Sequence, residues 1–71
     1  MSGFPAHEID TLVRRAEAEY REMPGLSLTP QQAQRMLGIN RVACREVLTE
    51  LTYHGFLRRT SRGTYVRAQA G

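Results

Sequence analysis

The sequence predicts a small α+β fold in which three helices are followed by a C-terminal β-hairpin. Three observations predict it. Apolar residues recur at three- and four-residue steps through residues 9–51 and then give way to short β-type runs. Pro24-Gly25, Gly38 and Gly55 stand where the helical patterns stop. Thr29-Pro30-Gln31-Gln32 and Asn40 are helix-start signals directly before the second and third patterns.

The elements follow in order. Gly3 and Pro5 mark residues 1–6 as a short irregular lead. Ile9, Leu12, Val13, Ala16, Tyr20 and Met23 fall on one face of a first helix, expected over about 7–22. Glu8 and Asp10 near its start suit the positive end of the helix dipole. Leu26-Ser27-Leu28 alternates and reads as a three-residue strand or a linker. Thr29 caps a second helix, Pro30 suits its first position, and Gln32 completes a capping box. That helix is expected to end near Leu37, with Ala33, Met36 and Leu37 inward. Gly38 supplies the left-handed residue a sharp turn needs. Asn40 caps a third helix, expected over about 41–54, with Cys44, Val47, Leu48 and Leu51 inward.

After Gly55 the runs 56–60 and 64–67 read as two short strands. Ser61-Arg62-Gly63 joins them as a three-residue loop, with glycine at the position needing positive φ. Residues 68–71 form a polar tail. The whole is expected to be one domain, 1–71, ordered over about 7–67.

Composition narrows the function. The chain has 71 residues and is 41 % hydrophobic, enough for a globular core, and no apolar run approaches a membrane span. No charged segment precedes an apolar one in the manner of a signal peptide. The single cysteine, Cys44, stands on the inward stripe, so a buried thiol is expected rather than a reactive one. With only His7 and His54 beside it, no metal or other cofactor is expected. A reduced, cytoplasmic setting follows.

Formal net charge is +3, and all ten basic residues are arginine. Residues 1–28 hold three arginines against five acids, whereas residues 29–71 hold seven against two. A basic C-terminal half points to a polyanion contacted by that half. There is no Gly-rich phosphate loop, no nucleophile–base–acid set and no supported carboxylate pair, so no enzyme activity is expected.

Two helices joined by a tight turn at Gly38-Ile39-Asn40, followed by a hairpin, make the winged helix-turn-helix arrangement. From Thr29 to Arg67 the chain also resembles the DNA-binding domain of GntR-type bacterial transcription regulators. The matching residues are Leu37-Gly38-Ile39-Asn40-Arg41, then Leu48-x-x-Leu51-x-x-x-Gly55-x-Leu57, then Gly63-Thr64-Tyr65-Val66-Arg67. The chain departs from that pattern at Gln34, where a small residue is usual. It departs again at Cys44, where a β-branched residue is usual, and at Ser61-Arg62-Gly63, where the wing usually carries Gly-x-Gly. Regulators of this type carry a second, metabolite-sensing domain. The resemblance therefore implies either a stand-alone DNA-binding protein or the DNA-binding piece of a longer one.

The resemblance implies sequence-specific binding to double-stranded DNA in transcription regulation, in association with the nucleoid. The third helix would enter the major groove, and the wing would meet backbone or minor groove. On that helix Arg41, Val42, Arg45, Glu46 and Thr49 are the outward candidates, with Asn40 at its start. Arg45 is assigned to base reading and Arg41 to a base or phosphate, since arginine can pair doubly with guanine. Val42 and Ala43 have two readings, as contacts to thymine methyl groups or as ordinary helix filler. Thr29 and Gln31 lie where a phosphate meets a helix N-terminus. Arg59, Arg62 and Thr64 are the wing candidates, and Arg58 is read as an edge-strand charge that discourages pairing. His54 is read as a helix-end residue favoured by the dipole. Two alternatives stay open. One is a winged-helix protein-docking module within a larger assembly. The other concerns assembly: a homodimer formed through the acidic first helix or through an apolar patch including Phe4 and Tyr20.

Overall fold

The computed structural model of the chain describes residues 6–68, with the side chains of Ala6 and His7 left aside. Three helices come first: α1 (Ala6–Glu22), α2 (Pro30–Leu37) and α3 (Arg41–Tyr53). Two antiparallel strands follow, β1 (Leu57–Arg59) and β2 (Tyr65–Arg67), paired Leu57 to Arg67, Arg58 to Val66 and Arg59 to Tyr65. The expected lead around Phe4 and the tail beyond Ala68 lie outside the described residues.

The local signals act as their chemistry dictates. The Thr29 hydroxyl accepts from the Gln32 N–H at 3.1 Å, and the Gln32 side-chain oxygen accepts from the Thr29 N–H at 2.9 Å. Both donors would otherwise be orphaned at the start of α2. Gly38 ends α2 in the left-handed region (φ 66°), and its N–H returns to the carbonyls of Gln34 and Arg35. Asn40 Oδ1 accepts from the Ala43 N–H at 2.8 Å and opens α3. Gly63 takes φ 83° at the hairpin tip, as a three-residue loop requires.

The core lies where the helices meet the hairpin. Ala16 and Tyr20 of α1, Ala33 and Leu37 of α2, Cys44, Val47, Leu48 and Leu51 of α3, and Leu57 of β1 form one buried cluster. Leu12, Val13, Leu28, Met36 and Tyr65 pack against it half-buried. Each fully buried leucine contributes roughly 1.5–3 kcal/mol.

Three expectations change here. Met23 is 47 % exposed, because α1 stops at Glu22 and the chain turns. The Leu26 N–H closes that turn on the Met23 carbonyl at 2.9 Å, so Met23 leaves the helical stripe. Tyr20 is 1 % exposed, so it belongs to the core and is closed to any dimerisation patch. The segment 26–28 is reduced to a single bridge at Leu28, which pairs with Tyr65 along the second edge of β2. The bridge cannot lengthen towards the C-terminus because Thr29 is committed to the cap and Pro30 has no N–H. Smaller shifts place the start of α1 at Ala6 and the end of α3 at Tyr53, with His54 as its cap.

Tyr65 is the junction of the fold. Its N–H donates to the Leu28 carbonyl at 2.7 Å, and its carbonyl accepts from the Leu28 N–H at 3.2 Å. The same carbonyl accepts from the Tyr20 hydroxyl at 2.7 Å. Beside it, Phe56 carries the Arg67 guanidinium at 4.3 Å from its ring centre and Arg21 at 5.5 Å, with Tyr20 edge-on at 6.4 Å. Arg67 Nε is buried without a hydrogen-bond partner, and the ring contact offsets part of that cost.

Candidate nucleic-acid interface

The arginines divide by position in the chain. All three in α1 are engaged by the protein itself. Arg14 pairs with Asp10 at 2.9 Å, Arg21 reaches Glu17 at 3.9 Å, and Arg15 donates to the Leu37 carbonyl at 3.2 Å. The last bond satisfies an end carbonyl of α2 and ties it to α1. Of the arginines downstream, Arg67 lies on Phe56. Among the described residues, the side chains of Arg35, Arg41, Arg45, Arg58, Arg59 and Arg62 have no hydrogen-bond or ion-pair partner, and all six are exposed. The net positive charge of the second half is thus available to an outside ligand rather than spent within the fold.

Helix α3 presents Arg41, Val42, Arg45, Glu46 and Thr49 to solvent, with Val42 57 % exposed. Arg45 makes no pair with Glu46 or Thr49. Ala43 is 2 % exposed and cannot meet a thymine methyl, which corrects that expectation. It lies a quarter-turn or so from Val42, on the side that closes against α1 and the Gly38 turn.

A cleft of about 210 Å³ runs along one flank of α3. Arg41, Arg45 and Thr49 form one wall, and Pro30 and Gln34 of α2 face them, with Tyr65 of β2 also lining it. Cys44 and Leu48 form its floor. The Cys44 thiol donates to the Pro30 carbonyl at 3.5 Å, and burial pushes its pKa up. A thiol so placed is a packing group, not a nucleophile. The start of α2, the flank of α3 and the hairpin therefore converge on one depression. Arg59 and Arg62 do not line it.

The residues at the helix starts are partly used up. Thr29 and Gln32 exchange their capping bonds, and Pro30 has no N–H, so Gln31 keeps the free amide in the first turn of α2. The Asn40 side-chain oxygen is taken by the cap of α3. At the tip of the hairpin, the Thr64 hydroxyl lies 2.7 Å from that of Thr60. Thr60 Oγ1 also accepts from the N–H groups of Arg62 and Thr64, both at 3.3 Å. Thr60 was not anticipated, although a threonine on each side of a three-residue loop is its sequence signal. Arg62 projects from that braced tip. Gln34 was likewise missed as a cleft residue, since its half-buried place depends on how α2 packs on α3.

Among the described residues no group of three or more His, Cys, Asp or Glu is gathered to hold a metal ion, and no helix is long and apolar enough to cross a membrane. Compared with known proteins, the chain matches no family model, no curated protein and no solved structure.

Proposed function

We propose that the chain is a winged helix-turn-helix domain of the GntR type that binds double-stranded DNA in transcription regulation. In this reading α3 enters the major groove, and the β1–β2 hairpin is the wing. Arg45 reads a base edge, Arg41 contacts a base or phosphate, and Arg62 at the wing tip contacts backbone or minor groove. The Gln31 N–H and the Thr29 hydroxyl proton remain free to meet a phosphate. The observation that carries this reading is the separation of the arginines. Those of α1 are neutralised or held internally, whereas six on α2, α3 and the hairpin stand exposed and unpaired. A surface built to dock a neutral or basic protein gains nothing from leaving them so.

The test is titration of a fluorescent mixed-sequence duplex at two salt concentrations with the wild-type chain and an Arg45→Ala, Arg62→Ala double variant. The expected result is binding that falls steeply with salt, and a weaker, flatter response in the variant, because each lost phosphate contact removes about 0.9 from the salt slope. Absence of binding at low salt by the folded wild-type chain would falsify the DNA reading and favour a protein-docking role.

A further inference from the structure

The exposed face of α3 does not end with Thr49. Val42, Glu46, Thr49 and Tyr53 recur at steps of four, three and four residues, which sets them within ~60° of one another on the helix. Ala43, Cys44, Val47, Leu48 and Leu51 are buried on the opposite side. The four residues therefore form the line of α3 farthest from the core. Tyr53 closes that line and is 82 % exposed, more than Val42 or Met23. Its ring is not loose in position: His54 meets it edge-on at 5.3 Å, and Glu50 holds His54 at 3.2 Å.

Length decides what Tyr53 can reach. Val42 and Tyr53 lie roughly 16 Å apart along the helix at ~1.5 Å per residue. Base edges are met by the N-terminal turns of such a helix, and a straight helix leaves the floor of a groove that winds around the DNA axis. If Val42 sits at the base edges, Tyr53 stands at the rim of the groove, beside the sugar–phosphate backbone. The chemistry there disfavours a purely ionic contact. The C-terminal end of a helix carries partial negative charge, and Glu46 lies on the same line. A ring that packs on deoxyribose and offers its hydroxyl to the adjoining phosphate suits that setting.

We propose that Tyr53 is a DNA-backbone contact that seats the C-terminal end of α3 on a deoxyribose at the rim of the groove, so that the helix is held at both ends of its exposed line. This inference rests on the DNA-binding reading above. The same duplex titration tests it with Tyr53→Ala, Tyr53→Phe and Arg45→Ala. Tyr53 is exposed, so its variants are expected to keep the fold, which circular dichroism verifies. Tyr53→Ala is expected to bind roughly tenfold more weakly with an unchanged salt slope, because no charge is lost. Tyr53→Phe is expected to stay within about threefold of the wild type, having lost one exposed hydrogen bond.

If Tyr53→Ala binds like the wild type while Arg45→Ala does not, the inference falls and the DNA reading stands. That is also the outcome if Tyr53 serves a protein partner. A Tyr53→Phe variant as weak as Tyr53→Ala overturns the packing of the ring on the sugar. If the wild-type chain binds no duplex, both readings fail together.

Discussion

The Tyr20 hydroxyl donates to the Tyr65 carbonyl at 2.7 Å, joining α1 to β2 across forty-five positions of sequence. Burial, with a smaller contribution from the nearby Cys44 thiol, pushes the Tyr20 pKa up to about 12. The unfolded chain would release that proton near pH 10. The raised value means that the neutral hydroxyl stabilises the fold fully below pH 10. The contribution is lost as pH rises through about 12, since the unfolded state gives up its proton first. Alkaline titration followed by circular dichroism is expected to show stability falling over that window. Tyr20→Phe removes the tyrosine's share of the fall and costs about 1 kcal/mol at neutral pH.

Gly38 isolates a purely conformational effect. It holds φ 66°, yet a Cβ built on it meets nothing within 4 Å. Gly38→Ala is therefore expected to cost about 1–2 kcal/mol from left-handed strain alone. Gly38→Asn costs less, because asparagine tolerates that region. Urea denaturation of both variants checks the order. Equal losses in the two would mean that crowding, not φ, sets the requirement.

Thr60 links stability to the proposed contact at the wing. Its hydroxyl oxygen accepts from the N–H groups of Arg62 and Thr64 and pairs with the Thr64 hydroxyl. Thr60→Val keeps the shape and removes all three, at a cost of about 1 kcal/mol. In the DNA reading the same change frees the tip and lowers duplex affinity roughly fivefold, whereas Thr60→Ser restores both. Thermal melts and duplex titration measure the two effects separately.

Cys44 gives a probe of opening. The thiol is 2 % exposed, and burial raises its pKa. Labelling by an aromatic disulfide reagent is expected to run at least roughly a hundredfold slower than for a free cysteine, given an opening free energy of about 3 kcal/mol or more. The rate is expected to rise with urea in step with global unfolding. Labelling at the rate of a free thiol in native buffer would contradict the buried position.

What could be read from the sequence was local. The cap at Thr29, its return bond from Gln32, the turn at Gly38 and the inward run Cys44, Val47, Leu48 and Leu51 each depend on residues within one or two helical turns. Their chemistry acts wherever the chain goes. What could not be read depends on elements meeting. Tyr20 counts as an inward apolar residue in any helical pattern, but nothing near it in sequence reveals that its hydroxyl ends on Tyr65. Ala43 lies at the border of the exposed face of α3, and only the approach of α1 and the Gly38 turn closes over it. Met23 continues the stripe of α1 in spacing and leaves it in space, because the helix ends one residue earlier. For the candidate interface, the residue types were visible and their freedom was not. That Arg15 is spent on Leu37 while Arg41 and Arg45 are spent on nothing is a fact of packing.

The carbonyl of Tyr65 has a consequence for how the molecule comes apart. It accepts from Leu28, which leads into α2, and from Tyr20, near the end of α1. A two-stranded hairpin alone is marginal in water and would fray early. Here β2 cannot swing away without breaking bonds to Tyr20 of α1 and to Leu28, just ahead of α2. In hydrogen–deuterium exchange, the amides of Leu28 and Tyr65 will report the same opening as those of α3. The hairpin then has no melting transition of its own: it stays or leaves with the core, as one cooperative unit.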